Sequence, residues 1–138
     1  MQTETNESYL IFSIHKRLYA IKNTNVQEIM HSAKIHPLPF VPDYIEGMVN
    51  CRGLPFTVVN FLKIQKEEDC EIKEKTVLVF RRDDDQFALH ISTIELFFEP
   101  ETEDILQDGI RYKSRTIPYF DIDFIETTLC HDLREEEL

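Results

Sequence analysis

The hydrophobic residues of this chain occur in short stretches that are separated by polar turns. Polar residues 15–17 and a tight turn at residues 51–55 each join two such stretches, which is typical of β-hairpins. The stretches are rich in aromatic and β-branched side chains. They predict four strands in the first half of the chain, over residues 9–14, 18–21, 48–50 and 56–61.

The second half of the chain repeats this order of strands and turns. Tyr19 and Phe87 occupy matching places in the two halves, and Asn25 and Thr93 follow them at the same spacing. A shared order at a shared spacing indicates an internal repeat, so we predict two related β units. The matching stretches of the second half are residues 76–80, 87–89, 93–98 and 117–122.

The predicted helical content is low. Asn25 followed by Glu28 has the arrangement of a capping box, but only a single turn fits there. Pro42 and Gly47 bound a second single turn, which Gly47 would close. The pattern therefore predicts an all-β fold, as two small barrels or a closed sandwich. Because units of about 60 residues are marginal alone, the two should share an interface.

Charge divides the chain into two unequal parts. The 138 residues carry a net charge of −11, which disfavours binding to nucleic acids and to anionic membranes. Residues 1–62 are balanced, so residues 63–138 carry the whole excess. We expect residues 83–85 to be a hairpin tip and residues 127–138 to be an acidic, solvated tail. The charge division would then coincide with the two β units.

The sequence favours a cytoplasmic protein. It has neither the basic start and apolar stretch of a secretory signal nor an apolar run of the length that crosses a membrane. Its three cysteines are widely spaced and form no C-x-x-C motif, which favours a reducing compartment. We therefore expect no insertion into a membrane.

Candidate chemistry is weak along the whole chain. Cys51 lies beside Arg52, which could lower the pKa of its thiol, but a buried structural thiol is the favoured interpretation. Asp121 and Asp123 would share one face of a strand, as a paired-acid catalyst requires, but a solvent-facing strand edge is the favoured interpretation. The three glycines form no phosphate loop. We expect no enzyme, metal or cofactor; a thiol or carboxylate hydrolase is a remote alternative. The candidate metal-binding pairs, none of which has convincing ligand spacing, are His31 with His36, Cys130 with His131, and Asp121 with Asp123.

Residues 47–61 resemble the signature of the CheW family. In that signature, a glycine and a short apolar strand precede an Asn-Leu-Arg-Gly turn and an apolar strand that ends in Asp-Leu. This chain has Asn50-Cys51-Arg52-Gly53 at the turn and Asn60 in place of the usual Asp. Residues 19–29 and 109–122 are similar to other parts of the family, so the resemblance covers residues 8–126.

The resemblance implies a fold of two intertwined, five-stranded, SH3-like β-barrels with short helical turns. It implies one CheW-like domain over residues 1–138, with subdomains made of residues 17–75 and of residues 8–16 with 76–126. The implied function is a non-catalytic adaptor of bacterial chemotaxis. It would join the cytoplasmic tip of a methyl-accepting chemoreceptor to the regulatory domain of the histidine kinase CheA.

The resemblance also assigns roles to individual residues. Val26, Glu28 and Arg52 map to receptor-contact positions, and the turn is shaped by Gly47, Asn50 and Gly53. Arginine offers a planar set of donors, and a carboxylate partner could hold it in place. The alternative within the same class is a divergent CheW-like subunit, which would modify receptor arrays or serve a chemosensory system other than motility.

Overall fold

The computed structural model describes residues 7–82 and 86–137, so the predicted hairpin tip at residues 83–85 lies outside the described residues. The described chain contains ten strands, two α-helices and two short 3-10 turns. In chain order they are β1 (Tyr9–Ile14), β2 (Arg17–Lys22), a 3-10 turn (Asn23–Asn25), β3 (Val26–Met30), β4 (Ile45–Cys51), β5 (Leu54–Val59), α1 (Phe61–Ile64), β6 (Thr76–Phe80), β7 (Phe87–Ile91), β8 (Thr93–Phe98), a 3-10 turn (Thr102–Asp104), β9 (Gly109–Tyr112), β10 (Arg115–Pro118) and α2 (Ile122–Glu137).

The strands form two groups of five. Sheet 1 has the order β3-β6-β7-β5-β4. Sheet 2 combines β2-β1-β8 with the β10-β9 pair, which is joined to β2 by a bridge between Ala20 and Tyr119. The segment after β3 also pairs with β4 through His36 and Met48, so the two edges of sheet 1 meet. The predicted all-β fold of two intertwined five-stranded units is confirmed.

The interleaving follows from the third strand of each half. β1 and β2 form a hairpin in sheet 2, but β3 leaves it and pairs with β6 in sheet 1. In the second half, β6 and β7 form a hairpin in sheet 1, and β8 leaves it to pair with β1. Each half therefore gives its first hairpin to one sheet and its remaining strands to the other.

This pairing corrects the predicted subdomain boundaries. β2 was expected in the subdomain of residues 17–75, but it pairs with β1 in sheet 2. β6 and β7 were expected with residues 8–16, but they lie in the middle of sheet 1. Since residues 63–138 supply strands to both sheets, the charge division along the chain is not a division between the two units.

The two sheets share one hydrophobic core. Its largest cluster joins Leu10 and Phe12 of sheet 2 to Phe80 and Leu89 of sheet 1. Phe120 contacts Phe12 edge-on, with ring centroids 5.7 Å apart, and stacks on Phe80 at 6.4 Å. These large apolar groups are removed from water only when both sheets are in place, which explains why two units of marginal size are stable together.

The capping box predicted at Asn25 and Glu28 is wrong. The 3-10 turn ends at Asn25 and has no side-chain cap, and Val26 begins strand β3. Glu28 does not return to the backbone of Asn25; its side chain crosses to Arg52. Pairing of β3 with β6 outweighs the local capping tendency, because a single turn supplies few hydrogen bonds of its own.

Gly47 does not close a helical turn as predicted but lies within β4. Its φ is +145°, and the register of β4 with β5 shifts between Ile45 and Gly47. A Cβ atom at this position would lie 2.2 Å from the carbonyl oxygen of His36. Glycine is therefore needed here for the close approach of the segment that joins the edges of sheet 1.

The C-terminal strand and tail are also corrected. Asp121 and Asp123 were expected on one strand, but β10 ends at Pro118, and the oxygen Oδ1 of Asp121 accepts a hydrogen bond from the N–H of Phe124 at the start of α2. The tail boundary at residue 127 falls inside this helix. Its buried side chains recur at helical spacing and pack on the shared core: Ile122, Ile125 and Leu129.

Side chains outside the helix fix α2 against the sheets. Arg82 forms ion pairs with Asp123 at 2.9 Å and with Glu126 at 2.6 Å. The hydroxyl of Tyr44 donates to the carboxylate of Asp132 over 2.6 Å. These contacts use acidic residues that the sequence pattern alone suggested were only solvated.

We expect Gly47→Ala to lower the free energy of unfolding by about 3 kcal/mol, because the added Cβ meets backbone atoms and the φ is unfavourable. Gly53→Ala is the matched control. Gly53 also has a positive φ, but a Cβ there meets no atom within 4 Å, so we expect a loss of about 1 kcal/mol. Chemical denaturation measures both. Equal losses would contradict the steric role of Gly47.

Candidate functional site

The tip of the β4–β5 hairpin is built by a two-residue turn. Arg52 and Gly53 occupy it with φ of +54° and +84°, and positive φ at both positions is the requirement of a type I′ turn. The side-chain oxygen Oδ1 of Asn50 accepts a hydrogen bond from the N–H of Gly53 at 2.8 Å. The turn therefore holds the backbone of Arg52 in one orientation at the end of the hairpin.

Arg52 faces Glu28 across the meeting edges of sheet 1. Its Nε donates to Oε1 of Glu28 over 3.1 Å, and the side chains are 77% and 33% exposed. An exposed pair of this kind stabilises a fold by at most about 1 kcal/mol. Its effect is geometric: the bond uses Nε, and the guanidinium group remains mostly in solvent, oriented by a carboxylate on another strand.

A second contact ties β3 to the same hairpin. Nε2 of Gln27 lies 3.9 Å from the sulfur of Cys51, within the weak range of a hydrogen bond to sulfur. Val26 is half-buried and packs against the large core cluster, while the register of β3 shifts between Val26 and Glu28. The structure therefore brings Glu28 and Arg52 together, whereas Val26 packs on the core two residues before Glu28.

Cys51 is a structural thiol. It is 1% exposed and packs inside sheet 1. Burial raises the pKa of its thiol, and the neighbouring Glu28 raises it further, whereas Arg52 opposes this only weakly. Arg52 therefore acts on the thiol in the expected direction, but burial and Glu28 outweigh it, and the favoured interpretation of Cys51 as a buried structural thiol is confirmed. The thiol-hydrolase alternative loses its nucleophile.

The paired-acid alternative also loses its geometry. Asp121 caps α2, and Asp123 pairs with Arg82, so the two carboxylates have separate structural roles.

Within residues 7–82 and 86–137, no group of three His, Cys, Asp or Glu side chains is placed to hold a metal ion. The helices among those residues are all too short or too polar to cross a membrane.

A buried polar network behind the hairpin was missed by the sequence analysis. Asn60 is fully buried; its Nδ2 donates to Oε2 of Glu46 at 2.9 Å and to the carbonyl of Cys70 at 2.8 Å. Its Oδ1 accepts from the N–H of Lys63 at 3.1 Å, which caps α1. The signal was Asn60 itself, where the resembled signature has Asp: beside Glu46, an amide donates where a second carboxylate would repel.

The fold and the site define a class of protein: a double β-sheet module that displays an oriented charge pair at a hairpin tip. A family model described as the CheW-like domain matches residues 8–121, which include all ten strands. Because this match spans most of the chain, the chain belongs to the CheW-like domain family. Helix α2 follows the matched region.

Two curated relatives carry the name chemotaxis protein CheW. The relative from Thermotoga maritima is 32% identical over 75 residues, which are 54% of this chain and 50% of the relative. The relative from Bacillus subtilis is 30% identical over 78 residues, which are 56% of this chain and 50% of the relative. The chain thus spans about half the length of the curated relatives it matches.

A solved structure shares the fold. It is the scaffolding protein TtCheW from Thermoanaerobacter tengcongensis, which superposes with a TM-score of 0.75 at 15% identity. The match covers 86% of this chain and 90% of that one. At this identity the likeness shows the shared fold.

We expect Cys51 to be the slowest of the three thiols to react with iodoacetamide in the native protein, because it is buried and its pKa is raised. Cys70 and Cys130 are partly exposed and should react first. Mass spectrometry of the alkylated peptides measures the order, and denatured protein serves as the control in which all three react. Fast native labelling of Cys51 would contradict the inward orientation.

We expect Asn60→Asp to lower the free energy of unfolding at neutral pH by about 2 kcal/mol, because it places a second carboxylate against Glu46. Crowding raises the folded-state pKa of the carboxyl pair, so the deficit should shrink as the pH falls and one group binds a proton. Denaturation at two pH values tests this. The N-cap is kept by Asp, so a pH-independent loss would argue against carboxylate repulsion.

Proposed function

We propose that this chain is a non-catalytic scaffold of bacterial chemotaxis, which joins chemoreceptors to a CheA-type histidine kinase in the cytoplasm. Membership of the CheW-like domain family supports the proposal, together with the names of the relatives that match part of the chain. The three cysteines are free, as a reducing compartment requires. The partners are the regulatory domain of the kinase and the cytoplasmic tip of a methyl-accepting receptor.

The observation that carries the proposal is the oriented pair of Arg52 and Glu28. A guanidinium held through Nε keeps its outer donors free for a carboxylate on a partner, in the planar geometry that arginine provides. Leu54 lies at the same tip and is 49% exposed, so an apolar contact can form beside the charges. We assign receptor contact to Arg52, Glu28 and Val26, with Val26 supporting the strand that presents Glu28.

The turn residues have a supporting role in this proposal. Asn50 and Gly53 set the orientation of the tip, and Gly47 allows the edges of sheet 1 to meet, which brings Glu28 within reach of Arg52. A flexible tip would lose conformational entropy on binding, whereas a tip that is already fixed loses little. This division separates residues that touch the partner from residues that position them.

We expect Arg52→Glu to weaken binding to a purified receptor-tip fragment at least about tenfold, which corresponds to about 1.4 kcal/mol. Two carboxylates would then repel each other at the tip. Binding to the kinase regulatory domain should be unchanged. Biolayer interferometry measures both interactions, and circular dichroism confirms that the variant is folded.

Arg111→Glu is the matched control for this experiment. Arg111 is a 55% exposed arginine of β9 that faces Asp104, so the variant makes the same charge change on sheet 2.

The double variant Glu28→Arg with Arg52→Glu restores an ion pair with reversed polarity. If it binds the receptor normally, the pair is only structural. Kinase binding by the native chain without receptor binding would favour the divergent-subunit alternative, and binding of neither partner would contradict the scaffold.

A further inference from the structure

The segment that connects the two halves of the chain is held from both sides by side-chain donors. We call residues 65–75 the linker; it joins α1 to β6. On the side of sheet 1, Asn60 donates to the carbonyl of Cys70 at 2.8 Å, and Nε2 of His90 lies 2.5 Å from the carbonyl oxygen of Glu74. The linker is thus fastened to sheet 1 through its backbone.

Sheet 2 holds the opposite side of the linker. Nε2 of His15, in the β1–β2 turn, lies 2.7 Å from the carbonyl oxygen of Glu71. Arg17 at the start of β2 makes two hydrogen bonds to the carboxylate of Glu67, at 2.8 and 2.7 Å. The linker therefore bridges the two sheets, and any loss of its contacts with one sheet loosens the connection between them.

His90 differs from His15 because both of its ring nitrogens face acceptors. Nδ1 contacts the carboxylate of Glu46, and Nε2 contacts the carbonyl of Glu74. A neutral imidazole carries one N–H and can satisfy only one of these acceptors. The two bonds together require a second proton, held between His90 and Glu46. His90 is 2% exposed, so losing either bond leaves a poorly solvated polar group, which is costly.

The charged groups around His90 come from every element packed against it. A cleft of about 500 Å³ opens beside the pair. Glu46 is the anion in direct contact; it also receives the hydrogen bond from Asn60 and the field of Lys63. The ionisable groups that line the cleft from β4, α1 and the linker are Glu46, Lys63, Cys70, Glu71 and Lys75.

We propose that His90 and Glu46 form a proton-dependent clamp on the linker, which fastens its Glu74 end to sheet 1 only while the proton between them is present. When that proton leaves, the bare lone pair of Nδ1 faces the Glu46 carboxylate. The imidazole can relieve this by changing tautomer, so that its one proton is carried on Nδ1 and donated to Glu46; Nε2 is then bare, and the Glu74 carbonyl loses its donor. The linker keeps its contacts with sheet 2 through His15 and Arg17 and its bond from Asn60 to the Cys70 carbonyl, so it loosens only at its Glu74 end.

The acid side of the clamp is governed by Glu46. Burial acts to raise the pKa of Glu46, but the hydrogen bonds from His90 and Asn60 outweigh it and hold the pKa below its ordinary value of 4.5. A carboxyl whose folded-state pKa is lowered stabilises the fold above its unfolded-state pKa and loses that contribution as the pH falls through the folded-state value. Loss of the Glu46 charge in acid therefore lowers the stability of the fold, but Nε2 of His90 keeps its N–H on the Glu74 carbonyl, so the linker is loosened only on the alkaline side.

The experiment measures hydrogen–deuterium exchange of the full chain between about pH 5 and about pH 10, expressed as protection factors that correct for the intrinsic pH dependence of exchange. The reporters are the linker amides and the N–H of Ala33, which donates to the carbonyl of Lys75. In the native protein we expect their protection to fall on the alkaline side, before that of the central strands β6 and β7.

Glu46→Gln is the decisive variant. A glutamine amide can donate to Nδ1 of His90 and accept from Asn60, so a neutral His90 satisfies Glu74 without a second proton. We expect the linker of this variant to stay protected across the whole alkaline range. His90→Gln removes the ring that reaches Glu74, so we expect linker protection to fall at least about tenfold at every pH. His131→Gln, at a histidine whose side chain is 66% exposed, is the control and should behave as the native protein.

The comparison of the native protein with Glu46→Gln decides whether the clamp exists. An alkaline loss that is present in the native protein and absent in Glu46→Gln establishes the clamp. The same alkaline loss in both proteins, or a linker whose protection does not change with pH in the native protein, overturns it. If His90→Gln does not fold, the comparison of the native protein with Glu46→Gln still decides.

Discussion

The exchange of the third strand between the two halves is the constraint on which the rest of the structure depends. β3 finds its partner in β6, and β8 finds its partner in β1. Neither half can complete a sheet from its own strands, so the two halves must form one hydrophobic core. The aromatic contacts of Phe120 with Phe12 and Phe80 lie at this junction and make the two sheets a single cooperative unit.

The candidate site is a consequence of that exchange. β3 carries Glu28 and reaches sheet 1 only by leaving the sheet of its own hairpin, and Arg52 lies on the hairpin at the far end of the strand order. The two meet because the edges of sheet 1 close on each other through His36 and Met48, an approach that Gly47 permits. The charge pair adds little to the stability of the fold, but the backbone pairing around Gly47 fixes its position.

The buried network shows how one local substitution is accommodated. Asn60 replaces the aspartate of the resembled signature, and its amide donates to Glu46 and to the linker while its oxygen still caps α1. The other oxygen of the Glu46 carboxylate is hydrogen-bonded to Nδ1 of His90. Buried polar groups are stable only when each has a partner, and in this network the donors and acceptors come from β4, β7, α1 and the linker.

The sequence by itself determined most of the strands, the hairpin turn and the family, whereas β3 and β9 were not among the predicted strands. Strand alternation and the Arg52-Gly53 turn are local properties, since side-chain period and positive φ act over a few residues. Only the tertiary structure decided which strands pair, that Glu28 contacts Arg52 and does not cap a helix, and that Asp121 caps a helix. Those outcomes depend on contacts between residues far apart in the chain, where burial and long-range pairing outweigh local preference.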